Sequence, residues 1–274
     1  KNMKKSHLID GVALTKFLFW LKKNFKKKKI TELSAQKKLD KFRKMHHSYK
    51  FPSFNTISGS GPNSAIIHYK ASKKTNRTLK KGELYLVDSG GQYSYGTTDV
   101  TRTISLDNDS KYIKEVYTRV LKGHIAVSNF KIKKNSTGSQ VDRKARKFLK
   151  DIKLDYPHGT GHGVGYFLNV HEGPQSLSKN NKINLQHGMI VSNEPGYYKE
   201  GSFGIRIENL IYINNNKFEE LTMVPIEKNM INKKILKKDE VKWIDNYHKK
   251  VKKNLYRFMS SSEKKDLAKS CSPI

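Results

Sequence analysis

ELYLVDSGGQYSYGTTDVTRTISL, from Glu83 to Leu106, holds two runs rich in β-branched and aromatic residues around a centre of Gly, Ser and Tyr. The pattern is that of a strand, a turn and a returning strand. Alternation along the first run puts Leu84, Leu86 and Asp88 on one face, which brings a carboxylate into line with core leucines. An unpaired charge is costly in such a place. Asp99 opens the second run, and a turn centred near Tyr93 and Ser94 makes Asp88 and Asp99 cross-strand neighbours. Directly opposed side chains lie about 4.5–5.5 Å apart at Cβ, and like charges there are destabilising. Something positive is expected between them.

The geometry recurs downstream. Glu194 in SNEPGYY and Glu208 in GIRIENL are equidistant from Gly201, so a hairpin turning at that glycine sets them opposite each other. Arg206 shares a face with Glu208. Between the two hairpins lies PHGTGHGVGYFLNVHEGP, Pro157 to Pro174, with three histidines (His158, His162 and His171) and five glycines in eighteen residues. Imidazole serves as metal ligand, proton carrier or core filler, and the glycines are expected to let a substrate approach without a side chain in the way. Four carboxylates with one or two imidazoles form a hard-donor set that suits Mn, Co or Zn more than copper or an iron–sulfur cluster. A pair of bridging carboxylates would hold two ions about 3.5–4 Å apart.

Each feature also has an ordinary reading. A single Asp at a strand end is usually a turn former, RIEN alone is usually an exposed salt-bridge segment, and one His on an apolar strand is usually a satisfied core residue. His158 and His162 at i, i+4 copy half of a zincin helix, but the HExxH glutamate is missing and the intervening glycines disfavour a helix. It is their order and spacing together that carry weight.

Along the rest of the chain, Leu8, Val12, Phe17, Trp20 and Leu21 fall near helical spacing, and Thr31 with Glu32 to Ser34 signals a second helix running to about Ser48. FPSFNTISGSGPNSAIIHY leads through Pro, Gly, Ser and Asn into a short apolar strand ending at His68. Helices are expected around Ser110 to Phe130 and Ser139 to Lys150. Strands are expected at GMIVSNEP, FGIRIENLIYI and FEELTMVPI, followed by a basic C-terminal helix with Trp243. No repeat or low-complexity linker divides the chain. It reads as one α+β domain over 1–274, built on antiparallel hairpins, with a C-terminal helical extension from about 236 to 274.

Composition bounds the function. The 274 residues, 35% hydrophobic with 14 Tyr and 12 Phe, can bury a sizeable core. One cysteine, Cys271, allows neither an intrachain disulfide nor a Cys-based zinc site and fits a reducing, cytoplasmic setting. No apolar run reaches the length of a membrane span, and VALTKFLFWL is interrupted by Lys16 with no cleavage site after it. The net charge of +31 suggests a polyanion partner. Yet 47 of the 55 basic residues are lysine and eight arginine, whereas base reading and bidentate phosphate contacts favour arginine. Runs such as KKNFKKKK and KKILKK flank helical patterns as solvated faces do. Nucleic-acid binding is the weaker reading.

The ordered set LVDSGGQY, GTTDVTRT, GTGHGVGYFLNVHEGP, SNEPGYY and GIRIENL resembles the metallopeptidase family with the pita-bread fold, and most closely its Xaa-Pro aminopeptidase branch of the eukaryotic-like type. The likeness extends over nearly the whole chain. It implies a curved antiparallel sheet with flanking helices, and two divalent ions, by expectation Mn²⁺ with Co²⁺ or Zn²⁺ as alternatives. By the same resemblance Asp88 binds one ion, His162 and Glu194 bind the other, and Asp99 and Glu208 bridge them. His68, His158 and His171 would line the substrate site, with His171 near the scissile carbonyl, and Arg206 would hold a carboxylate in place. Glu194 would also move the proton from nucleophile to leaving nitrogen.

The implied reaction is hydrolysis of the N-terminal bond of peptides with proline second. A prolidase-like Xaa-Pro dipeptidase is the nearest alternative, although the short separation of Glu194 and Glu208 speaks against it, and a metal-free relative binding RNA through the basic surface is a further one. Relatives of the three-domain type carry two domains upstream and dimerise through them, so this sequence, which begins at Lys1, is expected to be the catalytic portion of a longer, homodimeric protein.

Overall fold

The computed structural model describes all 274 residues, Lys1 to Ile274. In chain order α1 (Asn2–Asn24) and α2 (Glu32–Lys44) lead into β1 (Tyr49–Pro52), β2 (Ile57–Ser60), β3 (Leu84–Ser89), β4 (Gly91–Tyr93), β5 (Gly96–Thr97) and β6 (Val100–Ser105). After α3 (Lys111–Ser128) and α4 (Gly138–Lys150) come β7 (Gly161–His162), β8 (Ser176–Leu177), β9 (Ile190–Asn193), β10 (Gly196–Lys199), β11 (Phe203–Arg206), β12 (Asn209–Asn214) and β13 (Lys217–Glu220). Helices α5 (Lys238–Leu255) and α6 (Ser261–Ser270) follow. No helix is long and apolar enough to cross a membrane.

Two long antiparallel hairpins form the centre, and each is interrupted at or beside its acids. In the first, β3 pairs with β6 and β4 with β5 in one register about a turn at Ser94 and Tyr95, one residue later than the sequence suggests. Gly96, with φ of +139°, takes the first paired position after the turn, opposite Tyr93. A one-residue shift of the centre moves each pairing by two, so faces are kept and partners change. Asp88 therefore stands opposite Thr101, and Asp99, just outside β6, is its diagonal and not its direct neighbour.

In the second hairpin Gly196 to Lys199 pair with Arg206 to Phe203 around Gly201, whose φ is +66°. The same register continues in Asn193 opposite Asn209. The turn lies where the symmetric spacing predicts. FGIRIENLIYI is nevertheless two strands, broken at Ile207 and Glu208, because the facing Pro195 has no N–H to give to the ladder.

Two other expectations shift. The second helix is capped as predicted, Thr31 accepting from Ser34 N while Ser34 Oγ accepts from Thr31 N. It stops at Lys44 and not Ser48, because Tyr49 N and the Ser48 hydroxyl turn back onto His46. The apolar strand predicted to end at His68 instead comes earlier, as the fully buried β2 paired with β3. Gly61, at φ of +54°, and Pro62 then bend the chain into a short 3-10 turn, Gly61–Ala65, and His68 follows on an exposed turn.

Alternation along β3 divides the core. Tyr85 and Val87 pack under α1 and α2 with Leu14, Phe17, Leu21 and Leu39, whereas Leu84 and Leu86 face the other way, in line with Asp88. On the far side α3 and α4 cover β9, β12 and β13 through Val127, Val141, Val191 and Ile211. Phe19, Ile205, Tyr247 and Leu267 belong to one cluster, so α5 and α6 share a core with the hairpins. The inner faces of the two hairpins are left facing a cleft.

Candidate metal centre

The cleft has a volume of about 260 Å³, and its walls include His68, Asp88, Asp99, His158, His162, His171, Glu194, Arg206 and Glu208. Every residue singled out from the sequence meets there. Phe54, Ile57 and Ile67 add an apolar patch on the His68 side.

Asp99, Glu194 and Glu208 sit at the hairpin breaks, where backbone pairing gives way and side chains turn inward, and Asp88 is still paired, one residue from the end of β3. Glu208 N donates to Thr101 O at 3.2 Å, which ties one hairpin to the other, and Thr101 Oγ1 donates to Glu208 Oε2 at 2.6 Å. Asp99, His162 and Glu208 each offer a ligand atom within 4.8 Å of the others. His162 Nε2 lies 3.4 Å from both Asp99 Oδ2 and Glu194 Oε1. Its ring is fixed from behind, Nδ1 donating to Gly163 O at 2.9 Å. With the proton on Nδ1, the Nε2 lone pair faces two carboxylates, an arrangement that only a proton or a cation makes favourable.

Charge crowding confirms the strain. Burial, with Asp88 and Glu194 nearby, pushes Asp99 up to about 7. Burial, then Asp99 and Glu194, holds Glu208 well above the usual carboxylate range, and burial raises Glu194. Burial pulls His162 down, but Asp99 and Glu194 outweigh it and lift the imidazole to about 9. Asp88 Oδ1 and Asp99 Oδ1 are buried without a hydrogen-bond partner. Converging hard donors with orphaned oxygens fit divalent metal ions.

Arg206 is the positive group the sequence demands, though it serves Asp88 alone among the acids by direct contact. Its Nη2 donates to Asp88 Oδ2 at 2.6 Å, Nε to Thr101 Oγ1 at 3.1 Å, and Nη1 to the Tyr198 hydroxyl at 2.7 Å. Tyr198 OH in turn meets His158 Nε2 at 2.8 Å, and His158 Nδ1 donates to Gly159 O at 2.7 Å. Burial and then Arg206 lower His158 to about 4, so its ring is neutral and Nε2 accepts from Tyr198. His171 is exposed at the rim, its ring centroid 4.1 Å from that of His162, and burial followed by His162 lowers it. His68 is exposed on the stretch of wall that carries Ile67.

Sequence reading missed Thr101, Tyr198 and Ser192, which donates to Glu194 Oε1 at 2.9 Å. Period-2 spacing could have found the first two, Thr101 two residues from Asp99 and Tyr198 four from Glu194. The glycines need a correction. A Cβ at Gly161 would lie 1.9 Å from Ser192 O, and one at Gly163 1.9 Å from Glu172 O. These two glycines let backbone pack on backbone and so carry His162 to the acids; they do not clear a path for substrate.

Such a centre, built on two hairpins and a glycine-rich loop, defines a class. The chain belongs to metallopeptidase family M24, whose model matches residues 1–215, with the model of its C-terminal region matching 215–274. The fold is the pita-bread fold of that family. Within the family the chain is 46% identical over 268 residues, 92% of its length, to Xaa-Pro aminopeptidase 1 of Dictyostelium discoideum, of which it spans 43%. It superposes on an X-prolyl aminopeptidase of Caenorhabditis elegans, described as a cytosolic enzyme with a dinuclear active site, with a TM-score of 0.95 and 38% identity, covering all of this chain and 47% of that one. Against the prolidase of Pyrococcus horikoshii the TM-score is 0.73 at 29% identity, covering 82% of this chain and 62% of that one. The chain thus spans less than half the length of the slime-mould and nematode aminopeptidases.

Proposed function

We propose that this chain is the catalytic portion of a metal-dependent aminopeptidase that hydrolyses the bond between the first residue of a peptide and a proline in second position. The observation that carries the reading is the convergence of four carboxylates and His162 on one cleft, with two oxygens left unpartnered, in a member of a metallopeptidase family. Asp88, Asp99, His162, Glu194 and Glu208 would hold the divalent ions, with Asp88 serving one, His162 and Glu194 the other, and Asp99 and Glu208 shared. Two ions bound there supply Lewis acidity and water activation, and the oxygen-rich donor set suits manganese, with cobalt or zinc as substitutes.

The chain's own residues then divide the work. Glu194, steadied by Ser192, accepts the proton from the attacking water and returns it to the leaving proline nitrogen. His171, at the rim beside His162, donates to the scissile carbonyl as negative charge develops. His68 contacts the peptide backbone from the stretch of wall that carries Ile67. His158, held neutral, presents its ring to the substrate, and Ile57, Ile67 and Phe54 offer an apolar wall for proline. Arg206 keeps Asp88 oriented from behind.

The whole 274-residue chain acts as one domain in this reading, cytoplasmic like the nematode enzyme, and the longer protein is a homodimer acting on proline-containing peptides. The basic surface is solvated and binds no nucleic acid. The test is hydrolysis of an Arg-Pro-Pro type peptide by metal-stripped protein with and without Mn²⁺, beside an Asp99→Asn variant. Release of the first residue alone, dependent on metal and lost in the variant, is expected. Cleavage confined to Xaa-Pro dipeptides would favour the prolidase-like alternative, and absence of bound ions in the wild type would sink the dinuclear reading.

A further inference from the structure

Glu32, the first residue of α2, has a carboxylate that is 0% exposed and contacts no lysine or arginine side chain. Its partners are neutral donors from one segment of the chain. Ser60 N donates at 2.8 Å, Asn63 Nδ2 at 3.1 Å, the Tyr69 hydroxyl at 2.8 Å and Arg77 N at 2.9 Å. The first turn of α2 adds backbone ties, Glu32 N donating to Arg77 O at 3.0 Å and Leu33 N to Asn76 Oδ1 at 3.1 Å. A buried anion is retained only where its lone pairs are satisfied, so this one commits four points of the segment to a single position.

The segment so held carries one wall of the cleft. Asn63 lies five residues before His68 and Tyr69 directly after it, while Ile66, His68, Lys70, Lys73 and Lys74 are exposed. Ser64 is fixed to β11 by Gly204 N at 2.7 Å, which secures the start of the segment. Beyond Ile66 the buried tie nearest His68 is the Tyr69 hydroxyl on Glu32.

We propose that Glu32 is a positioning residue for substrate: its carboxylate fixes Tyr69 and Asn63 on either side of His68, and thereby sets where the His68 imidazole and Ile67 meet the peptide. The proposal rests on the substrate-binding reading of His68 given above. Glu32 lines no part of the cleft and touches no metal-ligating residue, so it acts on substrate affinity and not on ion binding.

The test uses the full chain loaded with Mn²⁺, in wild-type, Glu32→Gln and Tyr69→Phe forms. In Glu32→Gln the new amide N–H₂ faces donors and cannot accept from them. Tyr69→Phe removes the hydroxyl that ties the residue next to His68 to Glu32, with its contacts to Asn63 and Thr75, and keeps the carboxylate, so it carries the test should the first variant fold poorly. KM is expected to rise with little change in kcat, lowering kcat/KM by about tenfold or more, as a misplaced substrate group does. Metal content stays at the wild-type value. Limited trypsin digestion supplies a readout independent of activity, with cleavage after Lys70, Lys73 and Lys74 accelerated in both variants. Faster cleavage with unchanged KM would overturn the proposal, as would a fall in kcat accompanied by metal loss. A wild-type chain that binds two ions yet cleaves no Xaa-Pro peptide would refute the function instead, and unchanged tryptic cleavage of the variants would still refute the anchor on its own.

Discussion

Tyr198 occupies a junction that neither hairpin supplies alone. Its hydroxyl accepts from Arg206 and donates to His158, so a single oxygen links the guanidinium that steadies Asp88 to a neutral imidazole on the substrate side. Burial pushes the phenol up to about 12, which keeps the proton on Tyr198 across the working pH range. In Tyr198→Phe one Arg206 N–H and His158 Nε2 lose their partner at once. An unsatisfied buried donor costs about 1–3 kcal/mol, which corresponds to a fall in kcat/KM of roughly 5- to 150-fold where the contact matters most in the transition state. Bound metal measured by elemental analysis is expected to stay constant in that variant. Arg206→Lys, which cannot span Asp88, Thr101 and Tyr198 together, is expected to lose metal as well as activity.

At the scale of the element, three of the four acids stand where the ladders stop, and Asp88 is paired one residue short of the end of β3. Thr98 and Asp99 fall between β5 and β6, and Pro195 with Glu208 marks the gap between β9–β10 and β11–β12. Equal spacing about Gly201 made the second hairpin legible, because one glycine able to hold a positive φ stands midway between two glutamates. The first was legible in its faces but not its partners, since the turn could close at either of two neighbouring positions and only packing selects one. The place of His68 was not legible, because IIHY is apolar enough for a strand and its exposed turn depends on Glu32, far away in sequence. Nor was the use of the glycines, which depends on how close β7 comes to β9. That closeness makes a strong prediction. Gly161→Ala places a methyl against Ser192 O with no flexible side chain to yield, so β7 must shift and carry His162 with it. Metal affinity measured by titration is expected to drop by about tenfold or more, on the scale of misplaced metal-supporting groups, with far-UV circular dichroism unchanged.

At the scale of the whole molecule, two buried histidines set the acid limit. Burial, then Arg102, lowers His124 to about 3; burial, then Lys228 and Arg102, lowers His248 to about 3. His124 Nδ1 donates to backbone carbonyls of Asn193 and Ile207, and His248 Nε2 accepts from Ile226 N, so neither faces an acid that would welcome a proton. The unfolded chain binds these protons below about 6.5, while the native chain refuses them until near 3. The stability these two rings contribute is therefore full above pH 6.5 and falls as pH drops from there toward 3, as linkage requires. In the metal-free protein the raised Asp99, Glu194, Glu208 and His162 act in the opposite sense, so the readout is a difference: between pH 7.5 and 5 the thermal midpoint of the wild type is expected to fall relative to that of His248→Gln, which keeps an acceptor. A difference between the two proteins that does not change with pH over that range would contradict the burial of the His248 ring.

The position of α1 bears on how the molecule is made. One side of this helix is covered by what comes last: Gly11 sits against the Met223 carbonyl, Phe19 clusters with Ile226 and Leu267, and Lys16 and Lys23 pair with Glu263 and Asp266 of α6. During synthesis some two hundred residues separate the emergence of α1 from that of its cover, with Leu14, Phe17 and Leu18 waiting meanwhile for β3 and β6. Contacts so distant along the chain form slowly and leave apolar surface open in the interim. Of these elements the first to emerge from the ribosome is among the last to be fully buried, and a chain stalled before α6 would present the apolar flank of α1 to any chaperone within reach.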